Sequence, residues 1–305
     1  MIHRKFSING RYVLSAAVIT AILLCAAFAA AAAELTVVYT GNSNGKLIFC
    51  NCPNDPYGGL SERVTLIGDL RKSEGPFLLV DAGSMVGLFG DYDLKASCVF
   101  RMMNMMKYDV AAVGRNEVFE GANRIASAAR EAKFPLVSVS FDNPALKKPF
   151  FKPYTIHTVS GVKAAVTSVS DSTTFFTVKS READFSLRPA DTALRGVIGE
   201  MASSADFVIV LSQMAPERNE ALLTTFPEID LIVEAYGNSV YDPPHVMPDG
   251  VIVATGSYGE NTGLVTLSKT DGRVRVVRSR IIPVKDIPED PKAHDIVVEY
   301  YRKRK

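Results

Sequence analysis

Apolar and polar positions alternate along the chain in a pattern typical of β-α-β folds. Short runs of apolar and β-branched residues bounded by turn residues predict strands. These runs are Leu35–Tyr39, Phe77–Val80, Asp109–Val113, Pro135–Val139, Lys163–Val169, Phe207–Leu211, Leu231–Val233, Val251–Thr255 and Gly263–Leu267. Apolar residues at three- and four-residue spacing predict helices over 60–72, 94–107, 122–132, 190–203, 217–225 and 291–303. The strands after Val251 follow one another with only turns between them, which predicts an antiparallel element after the β-α-β part.

The first 33 residues predict an export signal. A basic segment at residues 3–11 precedes the apolar stretch Val13–Ala29, and a run of alanines follows up to Ala33. These are the parts of a cleavable signal peptide. A retained membrane anchor is the alternative, because the apolar stretch is near the lower length limit of a span. We expect cleavage before Glu34 and a mature protein that is periplasmic or at the cell surface.

The charge balance does not indicate a polyanionic partner. The chain has 34 Lys and Arg against 33 Asp and Glu, and removal of residues 1–33 leaves 31 against 33. The basic end at 302–305 predicts a solvated helix terminus. We therefore expect no nucleic-acid binding, and membrane contact only transiently through the signal peptide. The remaining length, 34–305, fits one large domain.

A polar loop follows the first predicted strand. Thr40–Gly45 contains amide and hydroxyl side chains but neither a carboxylate nor an imidazole, and Gly58-Gly59 then precedes a helix that begins at Leu60. Side chains at the end of a central strand line the cleft of an α/β protein. The loop is therefore a candidate site without the usual hydrolytic groups.

The order of motifs from Leu35 to about Tyr301 resembles the calcineurin-like metallophosphatases, and within them the 5′-nucleotidase branch. The segments that carry the resemblance are Thr40–Gly45, Gly58–Arg63, Asp81–Ser84, Tyr108–Glu117, Leu211–Gln213, Asp230–Asn238 and Gly256–Gly259. The resemblance implies an α/β sandwich of two packed mixed β-sheets flanked by helices. It covers only the amino-terminal metallophosphatase domain of that branch, so we expect the carboxy-terminal nucleotidase domain to be absent.

The chemistry of that family uses two divalent metals held by Asp, His and Asn. Position by position, the resemblance places Asn42 and Asn44 where the family has the first-loop Asp and His, and Ser84 where it has the bridging Asp. The other ligand and catalytic positions fall on Arg115, Asn116, Gln213, Tyr236 and Asn238. None of these is a carboxylate, and Arg115 adds a fixed positive charge. We therefore expect a pseudoenzyme with no catalytic residue and no metal cofactor.

Three hypotheses for function stay open at this stage. The first is a non-catalytic binding protein for an anionic, phosphate-like ligand or a protein partner, because a guanidinium such as that of Arg115 recognises phosphate and carboxylate. A vestigial pocket, whose polar groups satisfy one another, is the alternative within this hypothesis. The second is an active metal-dependent phosphoesterase or 5′-nucleotidase with a non-standard site.

The third hypothesis is a thiol protein that uses the Cys-x-Cys motif of Cys50 and Cys52. With Cys98 these leave three cysteines after signal removal, an odd number for an oxidising compartment. A structural disulfide from Cys50 or Cys52 to Cys98, a redox or partner-linked thiol, and a thiolate metal site are the three interpretations.

Other chemistry-bearing residues have simpler interpretations. His245 follows the segment Asp230–Asn238 and is the imidazole that we expect nearest the cleft. The methionines of 102–106 predict core packing, because they lie at helical spacing. The resemblance implies that Asp81, Asp109 and Glu117 support loops and bind no metal.

Overall fold

Four strands of the amino-terminal β-α units and two strands from later in the chain form one six-stranded sheet. The computed structural model describes residues 33–48, 57–88, 90–171 and 184–304. The strands of this first sheet are β1 (Ala33–Thr40), β2 (Leu78–Asp81), β3 (Val110–Ala112), β4 (Leu136–Val137), β14 (Asn261–Thr270) and β15 (Arg273–Pro283). Their order is β15-β14-β1-β2-β3-β4. Strands β1 to β4 are parallel, and β14 and β15 form an antiparallel hairpin.

A second six-stranded sheet follows in the chain. Its strands are β7 (Tyr154–Val159), β8 (Val162–Val169), β10 (Phe207–Ser212), β11 (Leu231–Glu234), β12 (His245–Met247) and β13 (Gly250–Ala254). The order is β12-β13-β11-β10-β8-β7, with four parallel central strands and an antiparallel strand at each edge. A small third sheet pairs β5 (Phe141–Asn143) with β6 (Lys148–Pro149) and β9 (Ser186–Leu187).

Helices cover the outer faces of the two large sheets. In the described ranges they are α1 (Leu60–Ser73), α2 (Tyr92–Met106), α3 (Arg115–Val118), α4 (Ala122–Ala128), α5 (Ala190–Arg195), α6 (Ile198–Ser204), α7 (Pro216–Thr225) and α8 (Pro291–Lys303). One core cluster joins α1, α2 and α8 to the first sheet, and another joins α5, α6 and α7 to the second. Residues 34–305 form one compact unit.

The alternation of side chains along the strands explains the layered core. Val38 and Leu79 pack in the cluster under α1 and α2, whereas their neighbours Val37 and Leu78 are equally buried and point the other way. Strands β3 and β4 contact β8 and β10, so the inner faces of the two sheets meet. The predicted α/β sandwich of two packed mixed sheets flanked by helices is confirmed.

Several local predictions differ from the structure. The helix predicted over 190–203 is two helices, α5 and α6, because the chain leaves helical geometry at Val197. Strand β15 was not predicted, since its alternation of Arg with apolar residues leaves most of its side chains exposed or half-buried. Among the residues that the structure describes, no helix is both long and apolar enough to cross a membrane.

The approach of β14 to β1 requires glycine at position 263. A Cβ there would lie 2.0 Å from the buried ring of Tyr39. Gly263→Ala should therefore lower the free energy of unfolding by at least about 1–3 kcal/mol, as in other overpacked cores. Chemical denaturation measures the change. Gly199→Ala in α6 is the matched control, because no neighbouring atom lies within 4 Å of a Cβ at that position, and a loss of stability no larger than in this control would contradict the packing argument.

Candidate functional site

Loops at the carboxyl ends of six strands from both large sheets meet at a cleft of about 400 Å³. Seven of the eight side chains predicted for the site line it: Asn42, Asn44, Ser84, Arg115, Gln213, Tyr236 and Asn238. The eighth, Asn116, is only 1% exposed and bonds to Asn44. The predicted site residues therefore come together in space.

The first loop is held against the second by backbone hydrogen bonds. Asn42 N donates to Gly83 O at 2.8 Å, and Asn44 N donates to Ser84 O at 2.9 Å. Asn42, Asn44 and Ser84 all have positive φ, at 53°, 50° and 55°. Asparagine is several-fold enriched in this left-handed region, and serine is less common there. The loops keep a strained geometry that needs support from their surroundings.

A chain of asparagine amides crosses the floor of the cleft. Asn116 Nδ2 donates to Asn44 Oδ1 at 2.9 Å, and Asn44 Nδ2 donates to Asn42 Oδ1 at 2.9 Å. Asn42 Nδ2 then donates to the carbonyl of Gly237 at 2.7 Å. These bonds connect the loops that follow β3, β1 and β11. This series of amide hydrogen bonds holds several loops together, as a ligand bound by all of them would.

A second cross-link joins Ser84 to Gln213. Ser84 Oγ donates to Gln213 Oε1 at 2.9 Å, and Gln213 Nε2 donates to the carbonyl of Ala82 at 2.7 Å. Gly114 makes room for this contact, because a Cβ there would lie 2.6 Å from Ser84 N and 2.8 Å from Gln213 Oε1. The loops after β2, β3 and β10 are thereby fixed to one another.

Two buried carboxylates lie beneath the loops of the cleft and support them. Glu117 accepts hydrogen bonds from the backbone N–H groups of Ser84, Val86 and Gly114 at 2.9–3.0 Å. Asp81 accepts from Thr40 Oγ1 at 2.6 Å and from Gly83 N at 2.8 Å. Burial raises the pKa of Glu117 to about 7 and also raises that of Asp81. Both carboxylates have the loop-supporting contacts that the resemblance implied.

Asp109 has the same kind of role one strand further along. Its carboxylate accepts from the backbone N–H of Leu79 at 2.7 Å and so connects the start of β3 to β2.

One buried arginine that contacts the first loop was not predicted as part of the site. Arg63 on α1 is 1% exposed, and its Nη1 donates to Ser43 Oγ in the first loop at 3.0 Å. A Cβ on Gly259 would lie 2.3 Å from Arg63 Nη2, so the turn after β13 also closes on this side chain. Its signal was the Gly-Gly-Leu-Ser-Glu-Arg helix start, which indicated a helix and not the direction of the arginine.

Arg115 is the only ionisable Lys, Arg, His, Asp or Glu side chain among the described residues that line the cleft. It is half-buried, and within the described part of the chain no carboxylate pairs with it. The remaining polar lining consists of amides, hydroxyls and the two tyrosines Tyr236 and Tyr258. The cleft is therefore a positively charged pocket rich in hydrogen-bonding groups.

The histidines of the described residues lie outside the cleft lining. His245 Nε2 is 3.2 Å from Glu220 Oε1 and does not line the cleft. His157 contacts Thr155 on β7, and His294 contacts Glu289. Within residues 33–48, 57–88, 90–171 and 184–304, no cluster of three or more His, Cys, Asp or Glu could hold a metal.

The structure does not bear out the disulfide to Cys98. Cys98 is a buried free thiol on α2, and its Sγ lies 4.0 Å from the carbonyl of Ile296 on α8. Burial raises its pKa to about 12, which keeps it protonated. Cys50 and Cys52 lie outside the described residues. The methionines of α2 are core residues, as predicted: Met102, Met103 and Met106 are buried, and Met105 packs against them.

Curated proteins align with different portions of this chain. No protein-family model matches it. Protein UshA of Yersinia enterocolitica is 30% identical over 138 residues, which is 44% of this chain and 24% of UshA. Human 5′-nucleotidase is 24% identical over 301 residues, which is 86% of this chain and 52% of that protein. The chain therefore spans about a quarter to a half of these relatives.

Solved structures share the fold. The sulfate thiohydrolase SoxB of Thermus thermophilus superposes with a TM-score of 0.78 at 18% identity, over 88% of this chain and 60% of that one. A 5′-nucleotidase precursor, also from Thermus thermophilus, gives a TM-score of 0.75 at 19% identity, over 89% of this chain and 59% of that one.

Fold, motif order and relatives together identify the class of protein. The relatives and the solved structures support a place in the calcineurin-like metallophosphatase superfamily. Within that superfamily the similarity is to the 5′-nucleotidase branch, and its coverage fits the amino-terminal domain of those proteins.

The buried Glu117 predicts a specific pH dependence of stability. Because its pKa is raised from near 4.5 to about 7, the folded state keeps a proton that the unfolded chain releases between those values. The free energy of unfolding should therefore fall, relative to Glu117→Gln, by up to about 3 kcal/mol as pH rises through this window. Urea unfolding at several pH values measures the difference. Glu228→Gln in the turn after α7 is the control, and a Glu117 difference that stays constant with pH would contradict the raised pKa.

Proposed function

We propose that this chain is an exported 5′-nucleotidase-like protein that has lost the two-metal catalytic site and binds a small anion in the cleft at Arg115. The observation that carries the proposal is the charge of the cleft lining. Among the described residues that line the cleft, Arg115 alone has a charged side chain, and amide side chains surround it. Such a lining suits a phosphate or a carboxylate, which guanidinium groups bind in a bidentate manner.

The side chains of the cleft do not fit the two divalent metals of the family. Two such ions carry a charge of +4 and are normally held by carboxylates with imidazoles or amides. The carboxylates of Glu117 and Asp81 are engaged with backbone N–H and hydroxyl groups beneath the loops. Arg115 would repel a cation at the same place. Among the described residues, the lining of the cleft therefore lacks the carboxylates that a two-metal catalytic step needs.

The amide chain supports a non-catalytic role in a second way. The side-chain N–H groups of Asn42, Asn44 and Asn116 donate hydrogen bonds within this set and to the carbonyl of Gly237. Ser84 and Gln213 likewise bond to each other. The positions of lost ligands thus keep the loops together without a metal, and within the described lining they leave Arg115 as the cation that can receive an anion.

A metal-dependent phosphoesterase is the second candidate, and similarity to 5′-nucleotidases favours it. It predicts phosphate-ester hydrolysis that depends on an added divalent cation. We expect no turnover above the uncatalysed rate with p-nitrophenyl phosphate or AMP in the presence of Mg²⁺, Mn²⁺, Co²⁺ or Zn²⁺. Turnover that disappears in Ser84→Ala and Asn116→Ala would instead establish the hydrolase.

Two parts of the proposal rest on the sequence alone. Export to the periplasm or cell surface follows from residues 1–33. A thiol function at Cys50 and Cys52 stays a prediction, and a loss of function in a Cys50/Cys52 double Ser variant with unchanged stability would support it. A protein partner in place of the small anion is the outcome to pursue if the anion test fails.

The anion site predicts a specific effect of Arg115. Because charge-assisted hydrogen bonds contribute about 1.5–3 kcal/mol each, Arg115→Ala should weaken binding of inorganic phosphate by about 10- to 100-fold. Arg115→Lys should weaken it less, since the charge remains but the planar fork is lost. Calorimetric titration measures both.

The control for lost charge is Arg273→Ala, an exposed arginine of β15 that lies outside the cleft lining. Equal phosphate binding by wild type and Arg115→Ala, or no binding by wild type at up to about 10 mM, would contradict the proposed anion site.

A further inference from the structure

A second pocket adjoins the cleft at Tyr236. It has a volume of about 400 Å³ and is lined by Asp171, Leu187, Arg188, Pro189, Ala190, Ala215, Arg218 and Tyr236. Tyr236 is the residue that it shares with the Arg115 cleft. The two cavities together therefore offer a longer site than a free phosphate needs.

Tyr236 is an unusual side chain for this position. It is 39% exposed, although it lies only two residues after the fully buried strand β11. Within the described residues, its ring stacks on no other ring and lies under no cation. An exposed aromatic ring of this kind, at the mouth of two pockets, is a surface on which a planar group can stack.

The charges of the two pockets differ. In the second pocket Arg188 is already bound to Asp142 in a bidentate pair at 2.6 Å. Arg218 lies between Asp191 at 3.6 Å and Asp171 at 4.0 Å. Both cations are therefore matched by carboxylates, whereas Arg115 in the first pocket has none among the described residues.

Among the described residues, the remaining lining of the second pocket is largely apolar. Leu187, Pro189, Ala190 and Ala215 supply it. Pockets of this kind bind the uncharged, apolar part of a ligand, and a few polar groups fix its orientation. A ligand that spans both pockets would thus carry its negative charge at one end only.

We infer that the ligand is an anion attached to a planar ring, with the phosphate or carboxylate at Arg115, the ring on Tyr236, and its apolar end in the second pocket. This inference rests on the proposed anion site and adds the class of ligand to it. It also gives a role to Tyr236, which stands where the family has a histidine ligand.

The test compares each aromatic anion with its ringless counterpart by calorimetric titration. The pairs are phenyl phosphate with inorganic phosphate, and benzoate with acetate. In wild type at least one aromatic anion should bind about 5- to 10-fold more tightly than its counterpart, as expected for one stacked ring. Tyr236→Ala should reduce that ratio to about 1, and Tyr236→Phe should keep it.

Two further variants separate stacking from general effects. Ala215→Leu should narrow the second pocket and weaken 1-naphthyl phosphate several-fold while it leaves inorganic phosphate unchanged. Tyr301→Ala on α8 is the control, because Tyr301 is similarly exposed, at 44%, and lines neither pocket.

The outcomes separate this inference from the proposed function. Phosphate binding that depends on Arg115, with no preference for a ring in either pair, would overturn the inference and leave the anion site intact. A ring preference that survives Tyr236→Ala would overturn the assignment of Tyr236. Failure of all four anions to bind would overturn both the inference and the anion site.

Discussion

The whole site depends on holding several strand-end loops at close approach. The loops after β1 and β2 have left-handed residues at Asn42, Asn44 and Ser84, and such conformations persist only when the surroundings fix them. In this chain hydrogen bonds among neutral side chains do so, from Asn116 through Asn44 and Asn42, and from Ser84 to Gln213. Buried Glu117 completes the support from below. The geometry of a metal-binding fold is thus kept by amides, a hydroxyl and a carboxylate.

This arrangement also determines the charge of the cleft. Neutral groups make up most of the cleft lining, and the carboxylates of Glu117 and Asp81 accept hydrogen bonds from backbone N–H groups beneath its loops. Arg115 then makes the pocket positive, which favours anions over metals. Tyr236 lines both this cleft and the second pocket, so the proposed ligand site combines a positive charge with an aromatic surface.

Much of the fold could be predicted because its strands are short buried runs with clear boundaries. Ordered motifs then predicted that Asn42, Ser84, Arg115 and Gln213 meet, and they do. Arg63 was not predicted as part of the site, since a charged residue on a helix gives no sign in sequence of pointing inward. A disulfide to Cys98 was one of three open interpretations, because spacing alone cannot show that the Cys98 thiol faces α8. The role proposed for Tyr236 depends on the pocket that it lines together with Leu187 and Ala215, which are distant in sequence.

The most direct test of the proposed loss of the metal centre is the stoichiometry of metal binding. Equilibrium dialysis of the mature protein against Mn²⁺ or Zn²⁺ at about 0.1 mM, followed by elemental analysis, counts the bound ions. The charge of the cleft predicts fewer than about one ion per chain, with no change in Arg115→Ala or Ser84→Ala. About two ions per chain, reduced in Ser84→Ala, would contradict it and would restore the two-metal hydrolase as the function.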